Sequence, residues 1–343
     1  MKNTPLHIVV AGGGVAGMEA AGTLAEMGYR VTLVEKGDEP GGHLLQWHAL
    51  FPDRRPAEEV KSYLRKRIEH RNISIITRTT VEKIRHHAGG VSVSLSGGTE
   101  ETADAVIVST GFDLFDAHRK EEYGYGIYDN VITSADLETM FNLNRVLKAD
   151  GTVPSRIGLI HCVGSRDEKV SNNHCSKVCC VTAVKQAIEV RKMLPASEVF
   201  CFYMDMRMYG PYYEELYREA QEFHNVNFIR GKVSEASVNI NNRLVIKVED
   251  TLAGRPLRME LDIMVLMVGM EMAEQGIKLA VVSGMKTGIN RFFETADHHY
   301  GNNLSGIKGV FYAGTCTAPM NITDTISHAR AAVAETVRYL NGR

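Results

Sequence analysis

Net charge of either sign, proline, tryptophan and long apolar runs are all scarce in this 343-residue chain. Lysine and arginine number 39 against 41 aspartates and glutamates, a formal charge of −2, so bulk charge selects neither a nucleic-acid groove nor a membrane surface as partner. Nine prolines, one tryptophan and no low-complexity stretch argue against a proline-rich or disordered linker protein. No segment reaches the ~20 apolar residues that a transmembrane helix needs. The best run, IMVLMVGM at 263–270, follows Asp262 and reads as a buried strand. The opening MKNTPLHIVVAGGG enters a strand pattern with no apolar h-region, which predicts a cytoplasmic protein with reduced thiols.

Glycine, by contrast, is plentiful at 31 residues, and six cysteines are present, four of them between 162 and 180. The first glycines close a βαβ pattern. An apolar run from Leu6 to Ala11 ends in GGGVAG, MEAAGTLAEMG follows with a helical period, and YRVTLVE returns as a strand. Gly12, Gly14 and Gly17 satisfy GxGxxG, and Glu35 stands eighteen residues beyond the last of them. A tight turn, a close backbone approach to a pyrophosphate and close helix packing each require one glycine, while the acid accepts from ribose hydroxyls. This reads as a bound dinucleotide rather than an ordinary turn.

Downstream, 57–70 has a helical period at Val60, Leu64 and Ile68, and two hairpin-like strands are expected near 73–76 and 91–95, with glycine pairs as turns. A second α/β series starts at Arg156 and closes with LDIMVLMVGM, after which GVFYAGT and a helix from about 323 to 340 rejoin the first domain by pattern. The middle domain therefore reads as an insertion.

Three further glycine sites resemble the two-dinucleotide-binding-domain flavoproteins, which include thioredoxin and glutathione reductases: Gly41-Gly42, Ser109-Thr110-Gly111, and GVFYAGT, where Thr315 replaces the family's aspartate. The resemblance implies FAD. Its adenosine and pyrophosphate would lie on Gly12, Gly14, Val15, Ala16, Gly17, Glu35 and Lys36, with Val81 nearby. Its flavin half would lie on Gly41, Gly42, His43, Leu44, Thr110 and Gly111, and on the closing segment Gly314, Thr315, Pro319, Asn321 and Ile322. It also implies an α/β fold of two Rossmann-like three-layer domains, the second inserted in the first: 1–115 with 282–343 for FAD, and 116–281 as the inserted domain.

In those reductases the inserted domain has its own glycine fingerprint for a nicotinamide. Here RIGLIH runs instead into CVGSRDEKVSNNHCSKVCC. Cys162, Cys175, Cys179 and Cys180 offer four soft ligands from one loop and a helix start. An adjacent pair suits a zinc knuckle poorly and leans toward an iron–sulfur cluster, with zinc and redox thiols as the other readings. His161 and His174 each precede a cysteine and read as donors to sulfur or as plain loop residues. Cys201 reads as a buried hydrophobe, MDMRMYGPYY as half core strand, and the basic stripe Lys61, Arg65, Lys66 and Arg67 as a solvated or docking face.

CVGSRDEK, HCSKVCC, YMDMRMYG with YYEELYREA, FIRGKV, LDIMVLMVG and AGTC-x-x-P together resemble the A subunit of heterodisulfide reductase over nearly the whole chain, in a short form. That resemblance implies a [4Fe-4S] cluster on Cys162, Cys175, Cys179 and Cys180 beside FAD. It also implies an oxidoreductase acting on sulfur groups, active with other subunits of a heterodisulfide reductase-like complex and homodimeric. The flavin subunit of a quinone-interacting oxidoreductase, a stand-alone NAD(P)H-dependent disulfide reductase and an assembly scaffold with a vestigial flavin site are the alternatives.

Overall fold

A computed structural model describes residues 5–342; the expected domain ends at 1–4 and 343 lie outside the described residues. Among the described residues seven α-helices run in chain order: α1 Val15–Glu26, α2 Ala57–Ile68, α3 Ser134–Asn142, α4 Cys179–Met193, α5 Tyr213–Glu222, α6 Glu274–Ser283 and α7 Ile322–Asn341. The chain divides into two compact units.

The first unit comprises the chain up to Leu45, Glu58–Asp113, and the chain from Glu271 onward. Its sheet has five parallel strands in the order Val310–Tyr312, Ala105–Val108, His7–Ala11, Arg30–Val34, Ile73–Ile76. The central strands are near-continuous β-branched runs, as expected for strands covered on both faces. α1 can lie close to the sheet because Ala16, Gly17, Ala20, Ala21 and Gly22 are small and buried. A three-stranded antiparallel sheet, Val81–His87, Gly90–Leu95 and Glu100–Ala103, completes the unit.

Two expectations are corrected here. Ile73–Ile76 is not a hairpin strand but the outer strand of the parallel sheet, pairing with Val31–Val34; the hairpin partner of Val91–Leu95 is Val81–His86. A four-residue apolar run carries no sign of which sheet it joins. α6, expected in the inserted domain, belongs to the first unit, where Leu279 and Ala280 share a core with Val81 and Ile84 and the Ser283 hydroxyl accepts the Ile84 N–H at 2.9 Å.

The second unit comprises Gln46–Ala57 and Leu114–Met270. Its parallel sheet runs Val131–Thr133, Ile263–Val268, Arg156–Val163, Glu198–Tyr203, Asn227–Arg230. A capping box between Thr133 and Asp136 starts α3. α4 is buried along most of its length. Met204–Tyr212, read in part as core strand, lies beyond the strand end at Tyr203. Gln46–Ala57 joins this unit through buried polar contacts. The Lys185 ammonium donates to the Ala49 carbonyl at 2.9 Å and to Glu138 Oε1 at 2.5 Å, and Glu138 Oε2 accepts the His48 N–H at 2.9 Å.

Candidate functional site

In the first unit the glycine-rich turn lies between the strand His7–Ala11 and α1, and several segments close on it. Gly12 has a φ of 111°, which a side chain rarely adopts. A Cβ there would strike the Ser109 carbonyl, and one at Gly17 would fall on the Gly12 carbonyl. The Ser109 hydroxyl donates to the carbonyl oxygens of Ala11 at 3.1 Å and Gly12 at 2.9 Å, locking the turn. The sequence marks Ser109 only as part of the Ser109-Thr110-Gly111 motif; its tie to Gly12 across 97 positions has no local signal.

Glu35, 7% exposed, accepts the Gly13 N–H at 2.8 Å and the Gly37 N–H at 2.6 Å. Gly41 donates its N–H to Gly13 O at 2.8 Å, and a Cβ on Gly42 would lie 3.1 Å from the Gly14 Cα. His43 stacks on Phe112, with centroids 4.3 Å apart. Gly111 faces Thr315, and Gly314, whose own Cβ would lie 2.6 Å from that of Ala16, gives its N–H to His328 Nδ1 at 2.9 Å. Pro319 is buried, and Asn321 caps α7 at Ile322 by accepting the Asp324 N–H at 2.7 Å. Lys36 is exposed, 3.8 Å from Asp113, while Leu44 and Val81 are buried. The expected residues of this site therefore belong to one unit, and most of them gather around the start of α1.

Three observations fit an anionic dinucleotide. α1 has no side-chain cap at Gly14, so its first N–H groups lack the usual partner. A Cβ at Gly14 would meet no protein atom within 4 Å. The Thr110 hydroxyl is buried without a hydrogen-bond partner. Backbone donors at a helix N-terminus suit a pyrophosphate. Cys316, just beyond the turn at Gly314, is a poor nucleophile. Its thiol is fully buried, donates to Val108 O at 3.3 Å, and burial pushes it up to about 12. Burial likewise raises Cys201.

In the second unit Cys162, the last residue but one of the strand Arg156–Val163, has a left-handed conformation, φ 59°, at a break in the strand register. Cys179 and Cys180 open α4, and the Cys179 thiol is within hydrogen-bonding reach of both Cys162 and Cys180. Hydrogen bonding from Cys179 holds the Cys162 and Cys180 thiols below their ordinary range, while Cys179 itself is raised. Cys175 is half-buried in the preceding loop and accepts the Lys177 N–H at 3.4 Å. The structure thus brings three of the four cysteines together, with Cys175 apart. Among the described residues no group of three or more His, Cys, Asp or Glu is arranged to hold a single metal ion.

The His161 ring is buried beside the Cys180 thiol and within hydrogen-bonding reach of it, which helps hold that thiol low. His174 shares its Nε2 with the Met270 carbonyl at 2.9 Å, a contact that anchors the loop. The loop is further pinned by Lys120, 1% exposed, whose ammonium donates to Asp167 Oδ2 at 2.7 Å. A Cβ at Gly164 would enter the Phe115 ring, so the glycine of this turn packs against protein.

Solved structures share this fold. Over 98% of this chain, thioredoxin reductase from T. acidophilum superposes with a TM-score of 0.67 at 17% identity, covering 99% of that chain. The Lactococcus lactis enzyme gives 0.70 at 16%, with 98% of this chain and 100% of that one covered. The fold is thioredoxin reductase-like. The pyridine nucleotide-disulphide oxidoreductase family model matches residues 1–140. In sequence the chain is similar to the A subunit of the H(2)/formate:CoB-CoM heterodisulfide,ferredoxin reductase of Methanococcus maripaludis, at 30% identity across 95% of this chain and 63% of that protein. The iron-sulfur A subunit of the CoB--CoM heterodisulfide reductase of Methanocaldococcus jannaschii gives the same figures, 30%, 95% and 63%. The chain therefore spans 63% of the length of these curated relatives. Among the described residues no helix is long and apolar enough to cross a membrane.

Proposed function

We propose that this chain is an FAD-binding electron-transfer subunit of a heterodisulfide reductase-like complex in cytoplasmic sulfur metabolism, with disulfide or persulfide chemistry completed on partner subunits. In this reading Cys162, Cys175, Cys179 and Cys180 hold a [4Fe-4S] cluster. The observation that carries it is the position of the cysteines. They occupy the turn after a central strand of the second unit and the first turn of the following helix, where a dinucleotide-binding unit has its phosphate cradle.

Bound FAD would exchange two-electron for one-electron chemistry. The first unit's residues bind and orient it: α1 N–H groups on the pyrophosphate, Glu35 on a ribose, Thr110 and the Gly314–Thr315 turn toward the flavin half. In the second unit four sulfurs make a soft donor set. The likeness to a protein named as an iron-sulfur component of heterodisulfide reductase supports the same assignment.

Protein purified without oxygen is expected to contain about one flavin and about four iron and four sulfide per chain, the composition of one cubane cluster. Zinc without sulfide overturns the cluster assignment. Rapid flavin reduction by NAD(P)H in the isolated chain would instead favour a stand-alone disulfide reductase, the reading to which the thioredoxin reductase-like fold lends weight.

A further inference from the structure

The strap Gln46–Ala57 is held to α3 and α4 by a cluster of buried charges. Glu138 of α3 is 4% exposed, and Lys185 and Glu189 of α4 are 2% and 8% exposed. The Lys185 ammonium donates to Glu138 Oε1 at 2.5 Å and to the Ala49 carbonyl at 2.9 Å, and lies 3.1 Å from Glu189 Oε2.

The two carboxyl groups are not served alike. Glu138 also accepts the Gln186 side-chain N–H at 2.7 Å and the His48 N–H at 2.9 Å, whereas Glu189 Oε2 is buried with no hydrogen bond. One ammonium balances one carboxylate, and a second bare carboxylate in a buried site carries a desolvation cost that a bound proton removes. Burial accordingly raises the Glu189 carboxyl above its ordinary 4.5; Lys185 and, from the strap, His48 oppose the rise, and Glu138 adds to it. A protonated carboxyl also brings a donor, and Gln186 Oε1, buried without a partner, stands one turn before Glu189 on α4. The later half of the strap is held separately. Arg54 pairs with Glu219 of α5 at 3.0 Å, and the Phe51 ring meets that of Tyr213 edge-on with centroids 5.5 Å apart.

We propose that Glu138, Lys185 and Glu189 form a pH-operated latch: a proton on Glu189 leaves the ammonium to Glu138 and Ala49 and clamps the strap, and loss of that proton as the pH rises draws the ammonium toward Glu189 and loosens residues 46–50. The Ala49 carbonyl is the neutral acceptor of the three, so its contact is the first to go, because hydrogen bonds to charged partners are the stronger. The closed strap binds one proton more than the open one. Closing therefore weakens by up to about tenfold per pH unit above the point where Glu189 ionises. The latch involves neither flavin nor cysteine.

Trp47, the single tryptophan, lies in the strap. Its emission, together with hydrogen exchange of peptides covering 46–50 and 51–57, tests the latch in the full chain from pH 5 to 8. In the parent, the protection factor of 46–50 is expected to fall about tenfold or more over that range while 51–57 keeps its own, with Trp47 emission titrating in step. Glu189→Gln, neutral at every pH, is expected to keep 46–50 protected throughout. Glu138→Gln leaves the ammonium to Glu189 alone and is expected to move the titration down by about one pH unit or more, a shift that a packing role would not produce. His48→Gln, which keeps its backbone N–H, is expected to titrate like the parent. Protection of 46–50 that is flat with pH in the parent overturns the proposal, as does a titration that persists in Glu189→Gln or vanishes in His48→Gln. Should Glu189→Gln fail to fold, Glu138→Gln decides, a downward shift supporting the latch and an unchanged midpoint overturning it.

Discussion

A methyl group at Gly17 would coincide with the carbonyl oxygen of Gly12, so Gly17→Ala must push α1 off its strand or open the turn. Either movement removes the N–H groups from the place where a pyrophosphate would bind. Gly17→Ala is therefore expected to purify without flavin, read as loss of visible absorbance, while Gly14→Ala, whose Cβ meets nothing within 4 Å, is expected to keep its fold and weaken flavin binding. The glycines and Glu35 were legible in the sequence because the fingerprint is local. Ser109 as the lock of the turn and the pairing of Arg166 with Asp205 were not. These ties span 97 and 39 positions, and a lone serine or arginine carries no mark of such a partner.

Helices in the first unit are joined by charge as well as by packing. Glu19 of α1, fully buried, lies 3.3 Å from Arg67 of α2 and 2.6 Å from Arg330 of α7. Part of the basic stripe read as a solvated face therefore turns inward at Arg67. Without Glu19, Arg67 keeps its ion pair with Glu26 and Arg330 stays more than half exposed, so the loss is that of hydrogen bonds to a charged group, about 1.5–3 kcal/mol. Glu19→Ala is expected to lower the urea midpoint accordingly, and the double change of Arg67 and Glu19 to lose less than the sum of the singles.

The His328 contact to Gly314 adds a pH dependence at this level. Burial lowers the pKa of His328, and also that of His7, below the ordinary 6.5. The unfolded chain then binds more protons than the folded one. This contribution to stability should be complete above about pH 6.5 and fall below it, by up to ~1.4 kcal/mol per pH unit for each histidine. Thermal melts at pH 5 and 7 check this, and His328→Gln is expected to flatten the difference.

At the scale of the whole molecule, a thioredoxin reductase-like fold coexists with a second unit whose nucleotide-binding features are committed elsewhere. The glycine turn carries cysteines, Gly164 packs on Phe115, and Asp205, two residues beyond the strand Glu198–Tyr203 where such a unit carries its ribose-binding acid, is held by Arg166 and Arg230. Fold class and the insertion were legible because each βαβ pattern is short and periodic. The assignment of Gln46–Ala57 to the second unit was not, because it depends on Lys185 reaching the Ala49 carbonyl from 136 positions away. If the ribose and phosphate positions are occupied by protein groups, neither NADH nor NADPH should reduce the flavin of the isolated chain quickly, whereas dithionite should. Stopped-flow absorbance at the flavin band separates the two, and Arg166→Gln, which leaves Asp205 paired with Arg230 alone, is expected not to restore reduction because the glycine cradle is still missing. Fast reduction by either nucleotide in the parent would place a nicotinamide site where the present geometry leaves no phosphate cradle.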